Sequence, residues 1–212
     1  TYMSRSFALG TTQTGLPGPP AGPIDLVSWD LTWKGPRHQA KILSNHPYRS
    51  AGRFSAFLAE LPQRIGRSVA SGKPYLQFPD RLYGASPYER IMQHRGAAVI
   101  LYRIPEEDEA PYVNLFLPNS HSWREEEGWM FADLDDFHVG VRPIGPYQWT
   151  DLHEASNAIM LTGPGDLTDG WLLRIEDLNA GLILEAVEAG ETGGFDAYCR
   201  TRVDRYLDLS SW

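Results

Sequence analysis

The sequence predicts an all-β protein, a large antiparallel β-sandwich of two packed sheets with a short C-terminal helix. Two observations carry that prediction. Glycine and proline cluster as punctuation at Gly15 to Pro23, Gly35-Pro36, Gly163-Pro164-Gly165 and Gly193-Gly194. Between these clusters lie short apolar or alternating runs, the mark of strands bounded by turns, and no long helical stripe. The lack of helices between the strands argues against parallel βαβ units.

The candidate strands are Ile24 to Trp33, Gln39 to Leu43, Ala97 to Ile104, Tyr112 to Leu117, Trp129 to Leu134, Phe137 to Pro143, Gln148 to Leu152, Ala158 to Thr162, Gly170 to Ile175 and Gly181 to Val187. A shorter extended segment, Phe7 to Gly10, precedes a proline-rich loop over Gly15 to Pro23. Phe195, Tyr198, Cys199, Val203, Tyr206 and Leu207 fall at helical spacing and give the C-terminal helix an apolar face. A second short stripe, Phe54, Phe57, Leu58 and Leu61, is ended by Pro62. The acidic runs Glu106 to Glu109 and Glu125 to Glu127 read as solvated hairpin tips.

A chain of 212 residues is an ordinary length for one large β-domain, residues 1–212 taken as a single sandwich. Such a domain buries roughly 70% of its unfolded surface and needs no covalent staple. The one cysteine, Cys199, rules out an internal disulfide and is expected to be buried and inert on the helix. A net charge of −8 argues against nucleic acid and against an anionic membrane surface as partners. A local basic patch from Arg49, Arg53, Arg64 and Arg67 remains open. No apolar run reaches the length of a membrane span. The opening Thr1-Tyr2-Met3-Ser4-Arg5 has neither an initiator Met nor a signal pattern, so the chain is expected to be part of a longer protein.

Four clusters hold groups able to do chemistry. In Ser44-Asn45-His46-Pro47-Tyr48-Arg49, the proline favours an extended His46 displayed from a loop. His46 and Tyr48 then supply a base and an acid, with Asn45 or Arg49 to stabilise an anionic oxygen. The second cluster is Ser86 to Arg95: if it is extended, alternation sets Tyr88, Arg90, Met92 and His94 on one face, with Glu89, Ile91, Gln93 and Arg95 on the other. That face suits a carboxylate or a hydroxyl-rich sugar, with Arg90 forked onto the carboxylate and Gln93 nearby. The third centres on Trp123 beside His121 and Arg124, a stacking platform for a sugar ring. The fourth, Asp133 to His138, reads as a tight turn in preference to a metal site. No cofactor or metal is assigned. Phosphate-binding glycine loops, a Gly-x-Ser-x-Gly elbow, paired-Cys zinc motifs and His-Glu-x-x-His are all missing, which argues against nucleotide hydrolysis, serine-esterase chemistry and zinc proteolysis.

The order of Tyr2 to Gly10, Ser86 to Arg90 with Gln93-His94, Gly128 to Phe131, Val139 to Tyr147 with Trp149, Gly181 to Glu185 and Phe195 to Tyr198 resembles the C-terminal β-sandwich of heparinase II/III-like polysaccharide lyases. What the resemblance implies is a secreted or periplasmic protein in which an α/α toroid precedes the sandwich. It further implies β-elimination on a uronic-acid polysaccharide in the cleft between them, with a His or Tyr as base and a Tyr as acid. On this chain the candidate residues are His46, Tyr48, Tyr88 and His94, with Asn45, Arg49, Arg90, Gln93 and Trp123 as binding residues. The chain departs from the family in holding only the sandwich portion. Two alternatives stay open: a non-catalytic carbohydrate-binding or scaffolding sandwich, and glycoside hydrolysis, for which Glu89 and Glu185 are the available carboxylates.

Overall fold

The computed structural model describes residues 1–11, 29–34, 39–49, 81–84, 86, 88–108, 110–118, 121–150 and 170–204. Within these, two antiparallel sheets face each other across one hydrophobic core. Sheet I is built from β1 (Tyr2–Met3), β2 (Phe7–Thr11), β3 (Trp29–Lys34), β4 (Gln39–Arg49), β5 (Arg81–Gly84), β8 (Val113–Pro118), β12 (Tyr147–Thr150) and β13 (Gly170–Ile175). Its order is β1-β2-β3-β4-β8-β13-β12, with β5 paired to the end of β4. Sheet II holds β6 (Glu89–His94), β7 (Ala97–Tyr102), β9 (Arg124–Glu126), β10 (Trp129–Asp133), β11 (Phe137–Ile144) and β14 (Gly181–Glu188), in the order β6-β7-β14-β11-β10-β9. The expected all-β sandwich with a short C-terminal helix is therefore the observed architecture.

Alternation places the core. Along β7, Ala98, Ile100 and Tyr102 point inward, while Ala97, Val99 and Leu101 point away. Opposite them in register on β14, Leu182 and Leu184 enter the same core. From sheet I come Leu9, Leu31, Ile42, Leu115, Leu173 and others, all essentially unexposed. Strand β8 is buried on every residue, with Val113, Leu115 and Leu117 facing the core shared with sheet II. Phe137, at the start of β11, bridges the two sheets, its ring 4.9 Å from that of Phe7 and 5.7 Å from that of Trp33.

Several boundaries differ from expectation. Strand β4 does not stop at Leu43 but continues through His46 and Pro47 to Arg49, because Leu43 to Asn45 pair with β8 and His46 to Arg49 pair with β5. Ser86 to Arg95 does contain a strand, β6, which turns into β7 at Arg95 (φ 52°) and Gly96. Only glycine fits there: a Cβ on Gly96 would sit 2.3 Å from the carbonyl oxygen of Ala186. Arg124 to Glu126 forms strand β9, so only Glu127 and Gly128 make the tip. The Asp133 to His138 segment is the tight turn expected, with Asp133 accepting the Asp135 N–H at 3.2 Å and Asp135 at φ 63°. The Gly15 to Pro23 loop, the stripe from Phe54 to Leu61 and the strand from Ala158 to Thr162 lie outside the described residues.

The helix, α1 (Phe195–Val203), lies on the outer face of sheet II, where Tyr198 and Cys199 bury against Trp129 and Phe131. Two polar ties hold it there. Tyr198 donates its hydroxyl to the carbonyl of Glu185 at 2.7 Å, and the Arg202 guanidinium forks onto the Glu185 carboxylate at 3.0 and 2.5 Å. Gly140 leaves the space for this packing, since a Cβ would meet the Phe131 ring at 2.8 Å and the Tyr198 hydroxyl at 3.2 Å. Cys199 is buried, and burial raises its thiol pKa, as befits the inert role expected of it.

The N-terminal hairpin is tied to sheet II through one carboxylate. Glu188 accepts the Ser6 N–H at 3.0 Å and the Ser6 hydroxyl at 2.7 Å. Burial pulls its pKa up, but the hydrogen bonds from Ser6 and Ser4 outweigh this and leave it below the ordinary 4.5. A lowered folded-state pKa contributes stability that is present above pH 4.5 and disappears as the pH falls through the folded value. Thermal melts of Glu188→Gln across the acid range are expected to fall less steeply below about pH 4.5 than those of the parent chain. Parallel curves for the two proteins would count against this tie.

Candidate functional sites

Two places concentrate the functional groups. The first is a chain of polar side chains that crosses the core. Trp29 on β3 donates its indole N–H to Ser44 Oγ on β4 at 2.9 Å. Ser44 Oγ is 2.8 Å from the Tyr102 hydroxyl on β7, and that hydroxyl donates to Glu89 Oε1 on β6 at 2.8 Å. Each hydroxyl has one proton; with the Tyr102 proton on Glu89, Ser44 donates to Tyr102, so the chain runs in one direction and ends on the carboxylate. Burial, then the Glu89 charge, pushes the Tyr102 phenol well above its ordinary 10.0. Tyr102 is held as a neutral donor, and the chain acts as a strut between the sheets.

His46 lies beside this strut with no exposed surface. Its Nδ1 is 3.0 Å from the carbonyl oxygen of Tyr112, an acceptor only, which fixes the proton on Nδ1. Its Nε2 faces Asp108 Oδ2 at 4.0 Å, and its ring lies 5.8 Å from that of Tyr88. Asp108 is thus not part of a solvated acidic tip: its side chain is 5% exposed, and it accepts the Ala110 N–H at 2.9 Å.

Of the residues singled out in the sequence, His46 and Tyr88 are brought together, His46 within the interior and not displayed from a loop. His94 is not with them. Arg90, Met92 and His94 do share one face of β6, but it is the outer face of sheet II, whereas Tyr88 precedes the strand and turns towards His46. There His94 borders a groove of about 450 Å³ with Met92, Val99, Trp129 and the Glu185–Arg202 pair. Arg90 donates to the carbonyl of Glu89 at 2.7 Å. Gln93 ties β6 to β2, donating to the Leu9 carbonyl at 3.0 Å and accepting from Thr11 at 2.6 Å. The backbones of Asn45, Tyr48 and Arg49 belong to β4, while their side chains lie outside the described residues. Glu89 and Glu185 point to opposite faces of sheet II, one into the core and one beneath α1, so they do not flank a common substrate.

The second place is the β12 edge of sheet I, where aromatic residues collect. Trp123 donates its indole N–H to the Pro118 carbonyl at 2.8 Å and packs on the core. Pro118 pairs with Gly170, the neighbour of Trp171. Trp149 stands opposite Leu173 on β13, and Trp171 is two residues before Leu173, so both indoles share the face whose next members, Leu173 and Ile175, enter the core. The two rings lie 6.3 Å apart at 73°, with Trp149 44% and Trp171 55% exposed. Tyr147, on the same side of β12, donates to Glu125 Oε1 on β9 at 2.5 Å and so closes the sandwich edge beside them. Burial, then Glu125, pushes the Tyr147 phenol up to about 12, so it remains the donor.

Sequence reasoning missed Ser44, Tyr102, Asp108, Trp149 and Trp171 as site residues. A signal existed for one part: once β6 and β7 are paired through the Arg95-Gly96 turn, Glu89 falls opposite Tyr102 on the inward face. Among the described residues no cluster of three or more His, Cys, Asp or Glu is placed to hold a metal ion, and no helix is long and apolar enough to cross a membrane. Comparison of the chain with protein-family models, curated proteins and solved structures returns no match.

Proposed function

We propose that this chain is a carbohydrate-binding β-sandwich of a secreted or periplasmic carbohydrate-active protein, and that glycan binds at the Trp149–Trp171 corner. The observation that carries the reading is the pair of solvent-facing indoles, 44% and 55% exposed and in mutual contact at a sheet edge. Leaving two indoles in water forgoes several kcal/mol of burial, since even a smaller core side chain yields about 1.5–3 kcal/mol. Contiguous exposed aromatic surface marks a binding site. Indole suits sugars because the C–H face of a pyranose ring packs on its π-face while hydroxyls at the ring edge reach polar neighbours. Here the neighbours on the indole side include Tyr147 and Glu125.

Affinity electrophoresis against a panel of soluble polysaccharides tests the reading. Trp171→Ala and Trp149→Ala are each expected to weaken retardation tenfold or more with an unchanged melting temperature, because neither indole is buried. Retardation by no polysaccharide, or retardation indifferent to both substitutions, removes it.

A second reading, the sandwich half of a polysaccharide lyase acting with an α/α toroid of the same parent protein, is favoured by the approach of His46 to Tyr88 and Asp108. Its test is the absorbance of new C4–C5 double bonds when the parent protein meets uronic-acid polymers. Turnover lost in His46→Ala supports this reading, and no product on any such polymer ends it.

A further inference from the structure

We infer that the tryptophan corner selects a single, uncharged glycan chain and turns away both uronate polymers and flat crystalline polysaccharide; this rests on the carbohydrate-binding reading above. Two independent features carry it. The first is ring geometry. At 73° to one another, the indoles of Trp149 and Trp171 cannot both lie on one flat surface, as adsorption to a crystal face requires. They form a corner, which fits an isolated chain presenting two differently oriented faces.

The second feature is charge. Tyr147, on the indole side of β12, donates to the Glu125 carboxylate at 2.5 Å and so holds a negative charge on the face that carries the indoles. The arginines of the neighbouring strands are already engaged. Arg124 on β9 lies 2.8 Å from Asp196 and 3.4 Å from Glu126, while Arg174 on β13 lies over the Tyr112 ring at 4.1 Å and donates to Asn114 at 3.3 Å. Carboxylates are acceptors only, so they match the hydroxyl donors of a neutral sugar and repel the carboxylate of a uronate. With a chain charge of −8, no long-range field offsets that local repulsion.

Calorimetric titration of the intact chain with cellohexaose, xylohexaose, mannohexaose, hexagalacturonate and hexaguluronate, at low and at physiological salt, tests the inference. Microcrystalline cellulose in a pull-down serves as the flat surface. At least one neutral hexamer is expected to bind tenfold or more tighter than either uronate at low salt, the gap narrowing as salt screens the carboxylates. Glu125→Gln is expected to strengthen binding of both uronates and so narrow the same gap, and Trp171→Ala to weaken every ligand. Uronates binding as well as or better than the neutral hexamers, uronate binding unmoved by Glu125→Gln, or tighter binding to crystalline cellulose than to cellohexaose each overturns the inference while leaving the corner a sugar site. Binding of none of the ligands overturns the carbohydrate reading with it.

Discussion

Phe137→Ala is expected to destabilise the fold by about 3–5 kcal/mol, the range for removing a large aromatic from a packed core. Phe137 is 1% exposed on β11 and touches Phe7 and Trp33 across the inter-sheet space, so its loss opens a cavity where strands of both sheets meet. Neighbouring rings cannot simply close in. Phe7 is itself held between Tyr2 at 5.9 Å and the close approach of Gly96. For a domain of this size the loss corresponds to a fall in melting temperature of roughly 10 °C or more. Calorimetric or denaturant unfolding measures it, and a change under about 1 kcal/mol would mean that the sheets do not pack through this residue.

Tyr102→Phe should cost about 2–3 kcal/mol, the second-largest effect, although it removes a single oxygen. The hydroxyl is the middle of the chain from Trp29 through Ser44 to Glu89, and its removal strips a donor from a carboxylate that is 5% exposed. A hydrogen bond to a charged group contributes about 1.5–3 kcal/mol, and the Ser44 O–H loses its acceptor as well, keeping only the bond it accepts from Trp29. Combining Tyr102→Phe with Glu89→Gln is expected to cost less than the sum of the single changes, because the two residues share one bond. Strict additivity in that double-mutant cycle would contradict the strut.

The two substitutions also separate scaffold from site. Both lie within the core, away from the exposed indoles, so each variant should bind glycan normally at temperatures where it remains folded. Trp149→Ala and Trp171→Ala should do the reverse, keeping stability and losing ligand.

Much of the fold was legible because burial imposes period two on strands. Gly170 to Ile175 was readable to its true ends, and the alternation of Ala98, Ile100 and Tyr102 marks one face of β7 directly. Less legible were the places where polar residues serve a strand. Asn45 and Pro47 look like loop residues, yet β4 runs through them because β8 and β5 supply partners distant in sequence. Strand β6 carries Glu89 and Gln93 on its inward face, where apolar residues are the rule, and only their partners Tyr102 and Leu9 explain them.

The candidate site was less readable still. His46 and Tyr88 could be named from residue type, but sequence does not say that His46 is enclosed. Asp108 hides in an acidic run whose other members give no cue that one carboxylate turns inward. Trp171 has the parity of a core residue, in line with Leu173 and Ile175, yet it is 55% exposed while Leu117, opposite it in register on β8, is fully buried. That is a property of two sheets together, which no local pattern encodes.

The central claim is that Trp149 and Trp171 contact glycan directly, and their indole N–H resonances report on it residue by residue. In a heteronuclear NMR titration with the tightest-binding neutral hexasaccharide, signals assigned through Trp149→Phe and Trp171→Phe should shift and saturate together. Those of the buried Trp29, Trp33 and Trp129 should stay in place. Saturable shifts confined to other tryptophans, or no shift at Trp149 and Trp171 while the sugar demonstrably binds, would contradict the account.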